Sequence, residues 1–324
     1  MIIITGGAGF IGSALTWRLN QEGFDDIIIV DHLSNSTKWR NLVPLRFENY
    51  IHKDDFLDMV VENDLPKGID AMVHLGACSD TTESNMDYLM ENNYRYSQLL
   101  ADYCLKKSIR FIYASSAATY GNGEMGFDDD HDLIDKLLPI NRYGYSKQFF
   151  DRVALRSGIL ESGVGLKFFN VFGPNEYHKG SMRSVICKAH ADILESGQIQ
   201  LFKSHHPSYL DGEQKRDFIY VKDVATILFQ LIQNRKITGL FNVGSGQARS
   251  WNDVAHALFA AMGKPPTISY IDMPATIRNH YQYFTQANMG KLLSVLPDML
   301  FTPLNDAIRD YVQDYLATQS TLRL

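Results

Sequence analysis

The chain has 324 residues, of which 45% are hydrophobic and 21% are charged, an ordinary composition for a globular protein. This length is sufficient for one large α/β domain with a smaller addition. The formal net charge of −6 provides no overall basic surface, which argues against a protein that wraps nucleic acid or docks on an anionic membrane.

Cysteine usage and the first residues bear on the compartment. Cys78, Cys104 and Cys187 are scattered, with no CxxC pair and no Cys/His spacing typical of zinc, so neither a disulfide framework nor a metal site is expected. Met1 leads directly into a strand-like run rather than into the basic and apolar regions of a secretory signal. No segment reaches the roughly 18 consecutive apolar residues of a transmembrane helix. The pattern favours a cytoplasmic protein.

The first half of the chain alternates short β-branched runs with longer helical patterns. Such alternation predicts βαβ units and a parallel, doubly wound sheet of the Rossmann type. The near-continuous apolar character of the strands indicates burial on both faces. Strands are predicted at 2–5, 27–31, near 50–51, and at 71–76, 111–116 and 165–171, and helices at 10–21, 87–107 and 144–156.

The second half has a different texture, because turn signals multiply after about Val171. We therefore expect a dinucleotide-binding domain over 1–171 and a smaller mixed α/β domain over 172–324. Two later segments, 218–221 and 241–244, are predicted to return to the first sheet, so the domains would interleave near 216–246. A segment at 268–274 and a helix from about Asn305 complete the second domain.

A glycine-rich turn follows the first predicted strand and opens the first predicted helix. Gly6, Gly9 and Gly12 form a GxxGxxG variant of the dinucleotide-binding fingerprint. The first glycine permits a tight turn, the second lets the backbone approach a pyrophosphate, and the third allows close packing of helix on strand. The pyrophosphate would lie at the helix N-terminus. The complete strand–turn–helix context favours a cofactor site over a simple tight turn.

Asp31 ends the second predicted strand about 20 residues beyond the last glycine, where an acid binds the adenosine ribose hydroxyls. A carboxylate there favours NAD, because it repels the 2′-phosphate of NADP. Lys38, Arg40 and Lys53 follow closely and could supply compensating positive charge. From the residues alone, the choice between NAD and NADP stays open.

Tyr143 and Lys147 form a YxxxK pair whose side chains share one face of a helix. A free phenol titrates near 10, so Tyr143 needs help to act as a base. A neighbouring ammonium and a positive nicotinamide ring would both lower its pKa. Ser116 ends a predicted strand upstream, where ligands meet an open α/β sheet, and would hydrogen-bond the substrate oxygen.

These elements, in this order, resemble the extended short-chain dehydrogenase/reductase superfamily over essentially the whole chain. The matching motifs are GGAGFIG at 6–12, SSAATYG at 115–121, the Tyr143/Lys147 pair, FNVFGP at 169–174 and RDFIYV at 216–221. The resemblance implies a nucleotide-sugar enzyme. Dehydratases of this superfamily carry an Asp-Glu pair where this chain has Ala117 and Ala118, so dehydration is disfavoured.

Stretches at 74–79, 92–97, 178–182 and 281–287 resemble the branch of epimerases that act at C6 of ADP-heptose. That resemblance implies transient oxidation at C6, in the synthesis of lipopolysaccharide inner-core precursors. It also implies an ADP-heptose substrate and a homo-oligomer, a pentamer or a multiple of one. The alternatives are a UDP-hexose 4-epimerase and a non-catalytic protein that senses the cofactor, although Ser116, Tyr143 and Lys147 together disfavour the latter.

The resemblance assigns the cofactor contacts residue by residue. Phe10 and Ile11 would flank the pyrophosphate, and Asp31 and His32 would meet the adenosine ribose. Lys38 and Lys53 match positions that accept a 2′-phosphate, which favours NADP while NAD stays possible. The remaining implied cofactor contacts are Leu75, Gly76, Ala77, Cys78, Ser79, Asn92, Lys147 and Val171.

The resemblance also implies a substrate site formed by Ser116, Asn170, Ser181, Lys188, Phe202, Arg216 and Tyr281. Arg216 is expected to bind the diphosphate, because a guanidinium pairs with phosphate oxygens bidentately. Inversion at C6 moves the carbonyl oxygen, so we expect Lys179 to share the acid–base role with Tyr143. The chain departs from the family pattern at His32, at Lys188 and in a longer loop at 204–214.

Overall fold

The computed structural model describes residues 1–278 and 281–324, apart from the side chains at 276 and 277. Within this part of the chain the strands are β1 (Ile2–Thr5), β2 (Ile27–Asp31), β3 (Asn49–His52), β4 (Ala71–His74), β5 (Arg110–Ser116), β6 (Val164–Phe168), β7 (Asn170–Phe172), β8 (Ile199–Phe202), β9 (Lys215–Tyr220), β10 (Gly239–Val243), β11 (Ala248–Ser250) and β12 (Ile268–Ile271). Seven of them form a parallel sheet in the order β10-β6-β5-β4-β1-β2-β3.

The α-helices are α1 (Phe10–Gln21), α2 (Lys53–Glu62), α3 (Met86–Leu89), α4 (Tyr96–Lys107), α5 (Arg142–Arg156), α6 (Ile159–Ser162), α7 (Val185–Ser196), α8 (Val221–Gln233), α9 (Trp251–Ala261), α10 (Ala275–Arg278), α11 (Gly290–Val295) and α12 (Leu304–Asp310). A π-helical segment, Met90–Arg95, joins α3 to α4, and another, Tyr311–Leu316, extends α12. Short 3-10 segments include Thr37–Asn41 and Tyr177–Met182.

The large sheet is covered on both faces. Ile2 and Ile4 of β1 belong to a core that also contains Leu15 of α1 and Leu228 of α8, whereas Ile3 points into a second core with Phe150 of α5. Successive residues of a strand face opposite sides, so a strand buried on both sides needs apolar residues throughout. The predicted doubly wound Rossmann-type fold is therefore confirmed.

The order of the strands gathers several predicted site segments at one edge. In parallel strands the carboxyl ends lie at the same edge, and β5, β4 and β1 are neighbours. The glycine-rich turn follows β1, the segment 75–79 follows β4, and Ser116 ends β5. This is the edge at which open α/β sheets bind ligands.

Some expected element boundaries are wrong. The strand expected at 165–171 is divided, because the backbone turns at Phe169, whose N–H donates to Val243 O at 3.0 Å. β7 then pairs with β9 and not with β5. The strand at 218–221 was expected in the large sheet, but β9 lies in a three-stranded sheet with β7 and β11; the expectation is right for 241–244, which falls in β10. The strand expected at 71–76 ends at His74, and the helix expected at 87–107 is interrupted by the π-helical segment.

Candidate active site

The glycine-rich turn has no room for side chains. Gly6 has a positive φ of +68°, and a Cβ on it would lie 2.6 Å from the backbone nitrogen of Gly76. A Cβ on Gly12 would lie 2.2 Å from the carbonyl oxygen of Gly6. α1 begins after Gly9 with no side-chain cap and no acidic residue in its first turn. Its unsatisfied N–H groups and positive dipole end therefore suit an anion, so the turn fits a dinucleotide pyrophosphate.

Asp31 is buried at the end of β2 and is already partly neutralised. One carboxylate oxygen accepts a hydrogen bond from Ala8 N at 2.9 Å, which ties it to the glycine-rich turn. The other accepts from Lys38 Nζ at 2.6 Å and from His32 N at 2.7 Å. Because Lys38 supplies a positive charge at this distance, Asp31 repels an added 2′-phosphate less than an unpaired carboxylate would.

Further basic groups surround Asp31. The rings of His32 and His52 are 6.2 Å apart between centroids. Lys53, which begins α2, pairs with Asp54 at 2.6 Å. Burial, followed by the charge of Lys38 and more weakly that of Lys53, lowers the pKa of His32, which places the two lysines in electrostatic reach of it. The ribose end of the predicted site thus carries two lysines, each paired with an aspartate.

Two sets of hydrogen bonds hold the segment after β4 in place. Leu75 N donates to Thr5 O at 3.0 Å, which fixes the segment beside β1. Asn93, fully buried in the π-helical segment, accepts from Cys78 N at 2.8 Å and donates to Cys78 O at 3.0 Å. The predicted residue Asn92 instead donates to Tyr88 O at 2.8 Å, within its own helix. Ala77 and Cys78 are half-buried, and Ser79 is exposed.

Asn93 is a residue that sequence reasoning missed. Its amide also donates to Ser146 Oγ at 3.0 Å, and the Ser146 hydroxyl donates to Tyr143 O at 2.8 Å. Asn93 therefore connects the segment after β4 with the helix that carries Tyr143. The adjacent pair Asn92-Asn93 was visible in the sequence, but the residue that faces inward depends on the π-helical turn.

His74 serves the same region as a neutral, structural histidine. It is buried at the end of β4, between Thr5 Oγ1 at 2.6 Å and Ser97 Oγ at 2.8 Å. Burial, with a smaller contribution from Lys147, lowers the pKa of His74 to about 3. It is therefore uncharged at neutral pH and anchors β4 between β1 and α4.

Ser116, Tyr143 and Lys147 are brought together between β5 and α5. The Tyr143 phenol lies close enough to the Ser116 side chain for Ser116 to affect its pKa, and Ser116 Oγ accepts from Ala118 N at 3.1 Å. The Asn141 side chain caps α5 by accepting from Gly144 N at 2.7 Å, which places Tyr143 in the first turn. Lys147, one turn further on, is buried and donates to Ala114 O at 2.9 Å.

The charges at this centre decide what the phenol can do. Burial lowers the pKa of Lys147 to about 8, opposed by the charge of Asp151, so its ammonium persists at neutral pH. Burial raises the pKa of Tyr143, and the Ser116 side chain opposes this rise. The expected lowering of that pKa is therefore not produced by the protein groups alone. A further positive charge beside the phenol, such as an oxidised nicotinamide ring, is needed to stabilise its phenolate.

Lys179 lies on the other side of the glycine-rich turn, in the 3-10 segment Tyr177–Met182. Its Nζ is 5.3 Å from the centroid of the Phe10 ring, at the start of α1. Burial lowers its pKa, opposed by the charge of Glu176. Among the described residues no carboxylate lies within ion-pairing distance of this ammonium. Lys179 is thus half-buried, partly desolvated and adjacent to the predicted cofactor site.

Arg216 forms the most distinctive part of the predicted substrate site. Its guanidinium is buried between Tyr281, 5.1 Å from the ring centroid, and Trp251, 5.8 Å from the ring centroid. Trp251 Nε1 donates to Tyr281 OH at 2.8 Å, which holds the two rings together. Within residues 1–278 and 281–324 the guanidinium has no carboxylate partner, and burial lowers its pKa. Its Nη1 donates to Lys215 O at 2.9 Å. A buried cation that lacks an anionic partner among the described residues favours an anionic ligand such as a diphosphate.

Other predicted substrate residues fall into two groups. Phe202 joins Arg216 through Tyr281, with the Phe202 and Tyr281 rings 6.4 Å apart. Asn170, in β7, is exposed and donates to Asp217 O at 3.0 Å, and β7 and β9 pair directly. Ser181 and Lys188 form a separate pair, with Lys188 Nζ 3.3 Å from Ser181 O. Val171, predicted instead as a cofactor contact, is half-buried and pairs with Ile219 across the same two strands.

In the part of the chain that the structure describes, no group of three or more His, Cys, Asp or Glu side chains is arranged to hold a metal ion. Over the same residues, every helix is too short or too polar to cross a membrane.

A doubly wound parallel sheet with a glycine-rich turn after β1 and a Ser–Tyr–Lys centre at the end of β5 defines an enzyme fold that uses a nicotinamide dinucleotide. The chain belongs to the NAD dependent epimerase/dehydratase family, whose family model matches residues 2–244.

Comparison with individual proteins shows which members of the family this chain resembles. The chain is 56% identical over 317 residues to the ADP-L-glycero-D-manno-heptose-6-epimerase of Nitratidesulfovibrio vulgaris strain Hildenborough, covering 98% of both chains. A crystal structure of the Helicobacter pylori enzyme of the same name superposes with a TM-score of 0.81 at 30% identity, over 97% of this chain and 95% of that one. The UDP-N-acetylglucosamine 4-epimerase of Methanobrevibacter ruminantium, at 26% identity and 98% coverage of both chains, gives a TM-score of 0.79.

Proposed function

We propose that this enzyme interconverts ADP-D-glycero-D-manno-heptose and ADP-L-glycero-D-manno-heptose by transient oxidation at C6, with bound NADP. The chemistry is supported by the Ser116–Tyr143–Lys147 centre beside the glycine-rich turn. The substrate is supported chiefly by 56% identity across 98% of both chains to an enzyme named for that reaction. Residues 1–171 would supply most of the cofactor contacts, and the remainder most of the substrate contacts.

The residues present fit the dinucleotide. The turn from Gly6 to Gly12 would hold its pyrophosphate, Asp31 its adenosine ribose, and Lys147 its nicotinamide ribose. The oxidised nicotinamide, once bound, would supply a reversible hydride acceptor for C6, so the reaction would have no net redox change. Lys38 and Lys53 would hold the 2′-phosphate of NADP, and the 2.6 Å contact between Lys38 and Asp31 supports this preference over NAD.

Tyr143 would remove the proton from the C6 hydroxyl of one epimer as the hydride leaves and, in the reverse reaction, would return it. Ser116, beside the same phenol, would hydrogen-bond the substrate oxygen and hold it in line with Tyr143. Lys147, with a pKa of about 8, keeps a positive charge near the phenol at neutral pH. Proton transfer by a positioned group contributes about 10²–10⁴-fold to rate.

Inversion requires the C6 carbonyl to present its other face, which moves its oxygen away from Tyr143. Lys179 would serve this second orientation. Burial lowers the pKa of its ammonium, which makes proton loss easier near neutral pH than for an exposed lysine. Arg216 would hold the diphosphate while the sugar reorients, so that the intermediate stays bound.

The test is incubation of the purified protein with ADP-D-glycero-D-manno-heptose, with NMR detection of the C6 configuration. We expect conversion to the L-glycero epimer without added cofactor, and no conversion by the Tyr143→Phe variant. Parallel incubations with UDP-glucose and UDP-N-acetylglucosamine test the alternative 4-epimerase. Conversion of either UDP-sugar but not of the ADP-heptose would replace the substrate assignment, whereas a protein that binds cofactor but converts none of the three would be a sensor.

The cofactor and the assembly have separate tests. Denaturing the purified protein and analysing the released nucleotide by mass spectrometry should give NADP; release of NAD alone would contradict the role of Lys38 and Lys53. We also propose a homo-oligomer, a pentamer or a multiple of one, as the resemblance implies. Light scattering should then give a mass of several chains, and a monomer of 36.8 kDa would refute it.

A further inference from the structure

A buried carboxylate lies one turn beyond Lys147 on α5. Asp151 is 0% exposed, and Tyr143, Lys147 and Asp151 follow one another at four-residue intervals, so they share one face of the helix. The carboxylate accepts hydrogen bonds from Tyr113 OH at 3.0 Å and from Ser115 Oγ at 2.6 Å, both on β5. Asp151 thus ties the catalytic helix to the strand that ends in Ser116.

The partner of this carboxylate is a buried lysine from the next strand. Lys167 in β6 is 1% exposed, and its Nζ lies 2.8 Å from Asp151 Oδ2. The same ammonium donates to Thr119 Oγ1 at 2.6 Å, and the Thr119 hydroxyl donates to Ser116 O at 2.8 Å. The ion pair therefore reaches the backbone of Ser116 from both sides, through β5 and through the residues that follow it.

An ion pair at this position needs an explanation. Apolar residues of similar volume often stabilise a core as well as a buried ion pair does, because desolvation of the charges offsets their attraction. The network fills a layer directly behind Ser116, Tyr143 and Lys147, and its charge acts on two of them. The negative charge of Asp151 opposes the effect of burial on the pKa of Lys147 and adds to its effect on the pKa of Tyr143.

The charged and titratable groups around this layer come from several elements. Those acting on Lys147 are Asp151 on its own helix and Cys78 after β4, and Lys147 in turn acts on His74 of β4. Those acting on Tyr143 are Ser116, Cys78 and Asp151. Asp151 directly contacts Lys167 of β6 and Tyr113 and Ser115 of β5. Its negative charge also affects the pKa values of Tyr120 and His131.

We propose that Asp151, paired with Lys167, is a positioning residue for the reaction: it fixes the end of β5 against α5 and places a negative charge on the face of α5 that carries Tyr143 and Lys147. This rests on the proposed function only in requiring that Tyr143 and Lys147 carry the chemistry. Asp151 does not itself touch the reacting atoms, because its carboxylate is occupied by Tyr113, Ser115 and Lys167.

The direct test is the titration of Lys147, measured by NMR of isotope-labelled lysine side chains and assigned with a Lys147→Met variant. Asp151→Asn should lower the midpoint by about one pH unit, at the lower end of the one to three units that a nearby opposite charge contributes. Asp151→Glu keeps the charge and should leave the midpoint within a few tenths of a unit. Ser115→Ala removes one hydrogen bond to the carboxylate but no charge, and it is the structural control with an unchanged midpoint.

The pH–rate profile gives a second readout. In Asp151→Asn both limbs of the profile should move to lower pH, because both Lys147 and Tyr143 lose the same negative charge. A merely structural role would lower kcat in Asp151→Asn and Ser115→Ala alike, with both limbs unmoved, and would overturn the proposal. Should Asp151→Asn fail to fold, Asp151→Asn/Lys167→Met removes both buried charges and should show a smaller shift in the same direction; an unchanged titration there also overturns it.

The failure of this inference can be distinguished from failure of the proposed function. If the parent protein leaves ADP-heptose unchanged but the Lys147 midpoint falls in Asp151→Asn, the substrate assignment fails and the electrostatic role of Asp151 stands. If the parent epimerises ADP-heptose and the midpoint does not move, the reverse holds.

Discussion

Replacing Arg216 by methionine should separate ligand binding from stability. The guanidinium is buried between two aromatic rings and lacks a carboxylate partner among the described residues. The desolvated charge destabilises the ligand-free protein, but it strengthens the binding of an anion. Arg216→Met removes both effects, so the stability of the ligand-free protein should rise and its affinity for an anion should fall.

The magnitudes follow from the contacts. A hydrogen bond to a charged group contributes about 1.5–3 kcal/mol, and a bidentate pair with a diphosphate loses two of them, about 3–6 kcal/mol. Because each 1.4 kcal/mol of binding free energy changes Kd tenfold, the Kd for ADP should rise roughly 10²–10⁴-fold. Arg216→Lys keeps the charge but loses the fork, and should cost about 10–100-fold. The ligand-free Arg216→Met protein loses two cation–π contacts, each worth about 0.5–2 kcal/mol, but gains from removing a buried charge worth several kcal/mol.

Calorimetric titration with ADP and thermal denaturation without ligand measure the two quantities. Arg110 provides the matched control: it is also buried, but its guanidinium donates to four backbone carbonyls, including Leu231 O at 3.1 Å and Ile237 O at 2.6 Å, whereas that of Arg216 donates to Lys215 O. Arg110→Met should lower Tm by stranding those carbonyls and should leave ADP affinity unchanged in the folded fraction. Arg216→Met with normal ADP affinity and a lowered Tm would refute the reasoning, because it would make Arg216 a structural residue.

Three further outcomes follow from the site and its surroundings. Tyr143→Phe should lower kcat about 10²–10⁴-fold with little change in ADP affinity, and Lys179→Met should do the same; equal rates of variant and parent in the NMR assay would remove either residue from the acid–base role. Gly12→Ala, whose Cβ would lie 2.2 Å from Gly6 O, should abolish co-purification of the nucleotide, whereas normal nucleotide content would show that the turn can relax. His74, with a pKa of about 3 against 6.5 unfolded, contributes stability that is complete above pH 6.5 and is lost as pH falls towards 3. Over that range its share is up to roughly 5 kcal/mol, so His74→Asn should flatten the acid side of the stability–pH curve, measured by urea unfolding, and an unaltered slope would contradict the assignment.

The sequence predicted the parts of the fold that local pattern determines. β1, α1 and β2 have the expected boundaries because apolar runs, a glycine-rich turn and a helical pattern follow one another without ambiguity. The same reasoning predicted a single strand at 165–171, which was wrong. An unbroken apolar run does not reveal that the chain turns at Phe169 and enters a second sheet. β9 was assigned to the wrong sheet for a similar reason: its partners, β7 and β11, are chosen by tertiary contacts and not by its own residues.

The candidate site divides in the same way. The residues in motifs, such as Ser116 and Tyr143, were predicted from spacing, and the structure places them near each other at the end of β5 and the start of α5. Asn93 and Asp151 were missed, although Asp151 lies at a helical interval from Lys147. A buried asparagine or aspartate has no sequence signature until its partners are known, and those partners come from other strands and helices.

The π-helical segment Met90–Arg95 makes this part of the protein sensitive to length. A residue advances about 100° around an α-helix, so a single added or deleted position rotates everything beyond it. A π-turn behaves as such an addition absorbed within a continuous helix. Removing one residue here should restore a regular helix and swing Asn93 away from Cys78 and Ser146, although every other contact residue would still be present. Homologues that differ by one residue in this segment can therefore share the whole motif set and still hold the loop after β4 differently.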